Sequence, residues 1–268
     1  MKKTAFAIAS HPDDIDYMMA GTLVALKNAG YEIHYMNIAN GSCGTNQYDR
    51  ETIIAMRREE AKKSSGIIGA VFHESLCDDL EVFYTKDLLE RLIPVVREVN
   101  PEIVLTHGPY DYMEDHVNSG RLAVSAAFCR GMVPAPCVPP VPAVNSKVTV
   151  YHSMPHSITD ALRRPVVPGL FVNVGEAIEL KKQMLACHIS QGAWLDSSQG
   201  SAFVDDMVKR GRYFGKMSGK YEYAEGWVRH SHIGFCDSGD DPLTAALGGK
   251  AMINEAFEKA NKIDFWDM

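Results

Sequence analysis

Thr4-Ala5-Phe6-Ala7-Ile8-Ala9 is a short apolar run that stops at Ser10-His11-Pro12-Asp13-Asp14. Behind it, Ile15 to Ala29 carries Met18, Met19, Leu23 and Leu26 at helical spacing, and Gly30 stands where a helix commonly ends. Ile33 to Ala39 reads as a second strand, closed by the loop Asn40-Gly41-Ser42-Cys43-Gly44. A helix is expected from Glu51 to Ile68, stopped by Gly69, then a third strand from Ala70 to His73. Leu88 to Val99 reads as a third helix, and Glu102 to Thr106 as a fourth strand ahead of His107-Gly108-Pro109. Strand and helix alternating at this spacing require parallel pairing through right-handed crossovers. The expected fold class is therefore α/β: a Rossmann-like, doubly wound, mainly parallel sheet with an irregular C-terminal extension.

The second half is less regular. Met132 to Val144 holds Pro134, Pro136, Pro139, Pro140 and Pro142, which excludes an interior helix or central strand and leaves a surface connector or a lid. Val148 to His152 and Phe171 to Val174 read as later strands, and Glu176 to His188 as a helix. Gly200 to Lys220 reads as a short helix mixed with glycine turns. One domain is expected over residues 1–235. A tail over 236–268 would pack on it, with a last helix from Lys250 to Lys262.

The first strand does not end in a glycine fingerprint. A dinucleotide site needs small residues there so that backbone N–H groups can approach a pyrophosphate. Asp13-Asp14 would repel phosphate and would suit a divalent cation. This argues against a nicotinamide or flavin oxidoreductase. Around the rigid Pro12, His11 and Asp14 can point at one centre while Asp13 points elsewhere. A catalytic zinc takes three protein ligands and leaves a position for water. In a sheet ordered 3-2-1-4-5 the first and fourth strands are neighbours at the topological switch point, where ligands bind. The loop after the fourth strand reads Tyr110-Asp111-Tyr112-Met113-Glu114-Asp115-His116, which makes His116 the natural third ligand.

With these residues the sequence resembles the zinc-dependent N-acetylglucosaminyl deacetylases of the LmbE/PIG-L family. The resemblance rests on Ala9-Ser10-His11-Pro12-Asp13-Asp14, on Arg57-Arg58-Glu59-Glu60-Ala61, and on Asp115-His116. Fainter matches are Lys181 and Lys182 followed by Cys187-His188-Ile189-Ser190-Gln191, and Tyr223-Ala224-Glu225-Gly226-Trp227. It implies a metal-dependent amide hydrolase removing the N-acetyl group from an N-acetylglucosamine-type sugar or glycoside. His11, Asp14 and His116 would hold Zn2+ or another divalent metal, Asp13 would be the general base, and Arg57 would bind sugar hydroxyls.

The chain departs from the family at Met113, where many members carry a histidine that stabilises the oxyanion and is oriented by the intervening aspartate. Asp115 is present but has no imidazole at 113 to hold, and His230 and His232 are the expected replacements for the missing imidazole, with Tyr112 a third candidate. Tyr112 and Ser42, the latter in the glycine-flanked loop, are expected to line the substrate pocket. His107 is placed behind the metal and His188 as a packed or capping residue. Cys43 as a nucleophile is disfavoured, since no histidine is placed to activate it. An amidase acting on a thiol conjugate or another small N-acyl compound, and a catalytically weak sugar- or metal-binding protein, are the alternatives.

Composition sets the remaining bounds. The 268 residues are 46% hydrophobic and 23% charged, as in an ordinary globular chain. Net charge is −7, which weighs against nucleic acid as a partner. No stretch approaches the roughly 18 apolar residues of a membrane span. The N-terminal apolar run is shorter than the core of about 7–15 residues in a secretory leader, so a buried strand is expected there. The 6 cysteines lack CxxC spacing, which points to reduced thiols in a cytoplasmic protein. A homo-oligomer is possible on the aromatic and proline content of the second half.

Overall fold

The computed structural model describes residues 3–192 and 202–261. Eight strands form one sheet: β1 (Thr4–Ala9), β2 (Glu32–Asn37), β3 (Val71–His73), β4 (Ile103–Thr106), β5 (Thr149–Ser153), β6 (Leu170–Asn173), β7 (Ala224–Arg229) and β8 (Ala251–Ile253). Their order is β3-β2-β1-β4-β5-β7-β6-β8. The first five pair in parallel, as the alternation of the first half requires, and the last three join antiparallel. β1 is buried on both faces, the expected state of a central parallel strand. Ala5, Ala7 and Ala9 face a cluster containing Leu23, Leu26, Tyr151 and Trp227, while Phe6 and Ile8 face Leu92, Ile93, Val96 and Leu122. Small residues on one side of the strand let the first helices pack close to the sheet.

Those first helices depart from the expected single element. They are α1 (Asp14–Met18) and α2 (Ala20–Asn28), broken at Met19 (φ −127). The reason lies across the sheet. The Glu225 carboxylate on β7 accepts from the N–H groups of Gly21 (2.9 Å) and Thr22 (2.8 Å) and from the Thr22 hydroxyl (2.6 Å). A buried carboxylate thus satisfies donors at the start of α2, where a helix leaves its N–H groups without partners. Lys181 Nζ donates to the same carboxylate, and Trp227 Nε1 donates to Thr22 Oγ1 (3.0 Å). The Lys181 and Glu225–Trp227 motifs are accordingly one buried knot.

α3 (Arg50–Ile67) starts on the Asp49 side chain, which accepts from the Thr52 N–H, and α4 (Lys86–Val99) starts on Thr85. α5 (Glu114–Cys129) begins two residues before His116, so this histidine lies in a first helical turn rather than in a loop. The Pro-rich segment is irregular, and its residues are absent from the walls of the site described below.

Two further expectations are corrected. Of the expected mixture of a short helix and glycine turns at 200–220, positions 200–201 lie outside the described residues and the rest is mostly one helix, α7 (Phe203–Ser218), following α6 (Ile178–Leu185). Gly215 stands inside α7 because a Cβ there would lie 2.3 Å from the Glu222 carbonyl oxygen. The expected terminal helix at 250–262 begins later. Ala251–Ile253 pairs with β6 as an edge strand, and the helix runs Glu255–Asn261; position 262 lies outside the described residues. No helix among the described residues is long and apolar enough to cross a membrane.

Candidate active site

The registers Ala5↔Ile103 and Ile8↔Thr106 bring the carboxyl ends of β1 and β4 side by side. The Ser10 N–H donates to His107 Nε2 (3.0 Å) and locks the two departing loops together. On this junction His11, Asp14 and His116 converge, with ligand atoms all within 4.8 Å of one another. His11 Nδ1 lies 3.3 Å from Asp14 Oδ2, and His116 Nε2 lies 3.3 Å from Asp14 Oδ1. All three residues are buried.

The donor set fits a divalent cation. Each imidazole turns one nitrogen toward the Asp14 carboxylate and the other toward a further carboxylate. His11 Nε2 lies 3.0 Å from Asp115 Oδ2, and His116 Nδ1 lies 3.2 Å from Asp111 Oδ2. A carboxylate behind a histidine is the usual way to fix the tautomer and aim of a metal ligand. His107, Asp111 and His116 could also gather around an ion, but the His107 Nε2 lone pair is taken by the Ser10 N–H. His107 instead stacks on His116 (4.3 Å, 7°), a backing role for the metal group.

Electrostatics follow from this packing. Burial works against charge on both ligand imidazoles, yet Asp115 and Asp14 lift His11 to about 9, and Asp14 and Asp111 lift His116 to about 10. Burial also works to raise Asp14, but the charge of His116 and hydrogen bonds from His11 and His116 hold it well below the ordinary carboxylate range.

Asp13 stands beside the group without belonging to it. Its backbone has φ 110, a region that side-chain-bearing residues rarely occupy and that costs on the order of 1–3 kcal/mol. The Arg57 guanidinium holds it there: Nη2 donates to the Pro12 carbonyl and to Asp13 Oδ2 (3.2 Å). Burial pushes the Asp13 carboxyl up to about 6 against the pull of Arg57. Arg57 is only 2% exposed, so its fork serves the Asp13 loop directly. It is wedged against two glycines. A Cβ at Gly41 would lie 2.5 Å from Arg57 Cδ, and one at Gly44 would lie 2.3 Å from Nη1.

A cavity of about 190 Å3 opens over these groups, walled by His11, Asp13, Asp14, Arg57 and His116 on its floor. Tyr112, Met113, Leu80, Tyr17, His156 and Gln191 also line it. Tyr112 is 54% exposed there. Larger hollows of about 570 and 830 Å3 lie elsewhere and do not contain the His11–Asp14–His116 group.

Three expected site residues lie elsewhere. Ser42 is absent from the cavity wall: its hydroxyl accepts from the Asp79 N–H (3.0 Å) and so braces the loop, leaving Cys43 and Gly44 to face the cavity. His230 pairs with His152 (2.9 Å) outside the cavity, and His232 is likewise not part of its wall. Asp115, left without an imidazole at 113, accepts from the Leu80 N–H (2.8 Å) and holds His11. His188 Nε2 donates to the buried Asp16, which also accepts from Tyr35 and Ser64, confirming a packed role. His156, Asp79, Asp111 and Gln191 were not singled out in the sequence. A pointer to His156 was its place just past the end of β5, on the functional edge of the sheet.

A buried His2Asp group at the carboxyl edge of a doubly wound sheet, beside the separate carboxylate of Asp13, is a group that could hold a metal ion. Residues 6–127 match the family model described as PIG-L: GlcNAc-PI de-N-acetylase. It is 28% identical over 231 residues to diacetylchitobiose deacetylase of Thermococcus kodakarensis, covering 84% of this chain and 82% of the relative. It is 26% identical over 200 residues to 4-oxalmesaconate hydratase of Pseudomonas putida, covering 71% and 74%. Its fold matches N,N'-diacetylchitobiose deacetylase from Pyrococcus horikoshii with a TM-score of 0.73 at 21% identity, covering 90% of this chain and 88% of that one.

Proposed function

We propose that the protein is a zinc-dependent N-deacetylase that removes the acetyl group from an N-acetylglucosamine-type amino sugar. The observation that carries this reading is the His11–Asp14–His116 group with Asp13 at its side, inside a chain similar along most of its length to a sugar deacetylase. A divalent cation held by that group would polarise an amide carbonyl and make water acidic enough to attack it. Asp13 takes the proton of the attacking water and returns it to the departing amine, a task suited to a carboxyl raised toward neutrality. Arg57 keeps Asp13 aimed and desolvated, and the exposed Tyr112 ring offers an aromatic surface for a sugar to pack on. A cavity of about 190 Å3 suits an acetamido group and part of one ring, with the rest of the substrate outside. A reducing, cytoplasmic setting is supported by six free cysteines.

The test is acetate release from N-acetylglucosamine and N,N'-diacetylchitobiose by zinc-loaded protein, with metal-stripped protein and Asp13→Ala as controls. Turnover of the sugars that needs both metal and Asp13 supports the reading. Equal inertness of wild type and Asp13→Ala, with sugar still bound, would leave a binding protein. A second reading, hydration of a double bond, is supported by likeness to the Pseudomonas hydratase. Turnover of an unsaturated acid with no acetate release from any amide, thiol conjugates included, would favour it.

A further inference from the structure

The wall of the catalytic cavity holds three imidazoles. Two, His11 and His116, belong to the metal group, and the third is His156. It follows β5, and its approach is rigidly built. Buried Arg210 on α7 donates to three successive carbonyls, those of Met154 (2.7 Å), Pro155 (2.7 Å) and His156 (3.0 Å). The Arg210 guanidinium lies over the rings of Tyr17 (5.8 Å) and Phe214 (5.0 Å). The His156 ring stacks on Tyr17 (4.3 Å, 18°) and meets the edge of Tyr112 at 6.3 Å, while Tyr112 meets His116 at 5.9 Å. His156 and His116 therefore flank the same tyrosine. Among the described residues no protein group hydrogen-bonds the His156 ring nitrogens. Its donor is left for whatever enters the cavity. Burial, with the Arg210 charge, pushes the imidazole down to about 4, so at neutral pH it is an uncharged N–H donor.

Met113 lines the same cavity and offers no donor. We propose that His156 is a catalytic residue of the amide hydrolysis, donating its ring N–H to the oxyanion that forms when water adds to the acetyl carbonyl. The assignment rests on the deacetylase reading. His156 makes and breaks no covalent bond: the water proton goes to Asp13 and then to the amine, and His156 stabilises the negative oxygen between these steps.

The experiment compares zinc-loaded wild type, His156→Ala, His156→Gln and the double variant Met113→His/His156→Ala. Three quantities are measured: kcat on N,N'-diacetylchitobiose, affinity for a methylphosphonamide analogue of N-acetylglucosamine that mimics the tetrahedral oxyanion, and affinity for glucosamine. Loss of one oxyanion donor costs on the order of 100- to 1000-fold in kcat. His156→Ala should lose that much in kcat and a comparable factor in analogue affinity. Its glucosamine affinity, zinc content and melting temperature should stay near wild type. His156→Gln, which keeps an N–H, should recover part of both losses, as should Met113→His on the His156→Ala background. Unchanged analogue affinity in His156→Ala overturns the proposal. Equal losses for glucosamine and analogue also overturn it, since they would mark a merely structural residue. If wild type releases no acetate and ignores the analogue, the deacetylase reading falls and the proposal with it.

Discussion

Glu225→Gln tests the knot that joins the two halves of the sheet. Glu225 and Lys181 are each 4% exposed, and the carboxylate holds Lys181 together with two backbone N–H groups and the Thr22 hydroxyl. Glutamine keeps the shape but removes the charge. Its amide nitrogen would then face donors, and the Lys181 ammonium would be left buried without a counter-ion. Removing one partner of a buried pair costs about 3–5 kcal/mol. Each kcal/mol lowers Tm by roughly 2–4 °C in a chain approaching this size, so a fall on the order of 6–20 °C is expected. Lys181→Met should cost less, about 1–3 kcal/mol, because the carboxylate keeps its three other donors. Combining the two should cost less than the sum, since the second change removes the charge stranded by the first. Urea unfolding of the four proteins gives all the terms. A Glu225→Gln protein within about 1 kcal/mol of wild type would refute the reasoning.

Asp115→Asn should weaken zinc binding about 10- to 100-fold by loosening His11, read by competition with a chelator; unchanged affinity would show that Asp115 does not aim this ligand. Because His11 and His116 rest near 9 and 10, above neutral pH, both are protonated before metal binds. Binding a cation should then release about two protons, and its affinity should climb about 100-fold per pH unit near pH 7. Calorimetry in buffers of differing ionisation enthalpy counts the protons; release of none would contradict the described charge state. Asp13→Ala should lower turnover by about 100-fold or more while retaining metal, whereas His116→Ala should lose metal first, and metal analysis of both variants separates the two roles.

The first half of this architecture was legible because each element carries its own periodicity. β1 to β4 and their helices are local features of the chain, and the order 3-2-1-4-5 follows from crossover handedness. The metal group was legible for the same reason, since two loops at neighbouring strand ends must meet. The break at Met19 was not, because the carboxylate that causes it comes from β7, more than two hundred residues away. Nor was the continuity of α7, where Gly215 marks close packing against the Tyr221–Glu222 backbone rather than a turn. Asp115 illustrates a subtler limit. Its position matches the family pattern, but its partner depends on whether an imidazole stands at 113, and with methionine there it is held by His11 and the Leu80 N–H. Ser42, His230 and His232 sit on plausible loops, yet side-chain direction at a loop is fixed by neighbours that no spacing rule supplies.

The wedge of Arg57 between Gly41 and Gly44 divides the pocket into a wall that can evolve and a wall that cannot. Any side chain gained at either glycine would evict the guanidinium and, with it, the conformation of Asp13. Adaptation to a bulkier or differently decorated sugar is easier at other residues that line the cavity, such as Leu80, Tyr112 or Met113. A library aimed at new substrates should randomise those three positions and leave the glycine loop untouched.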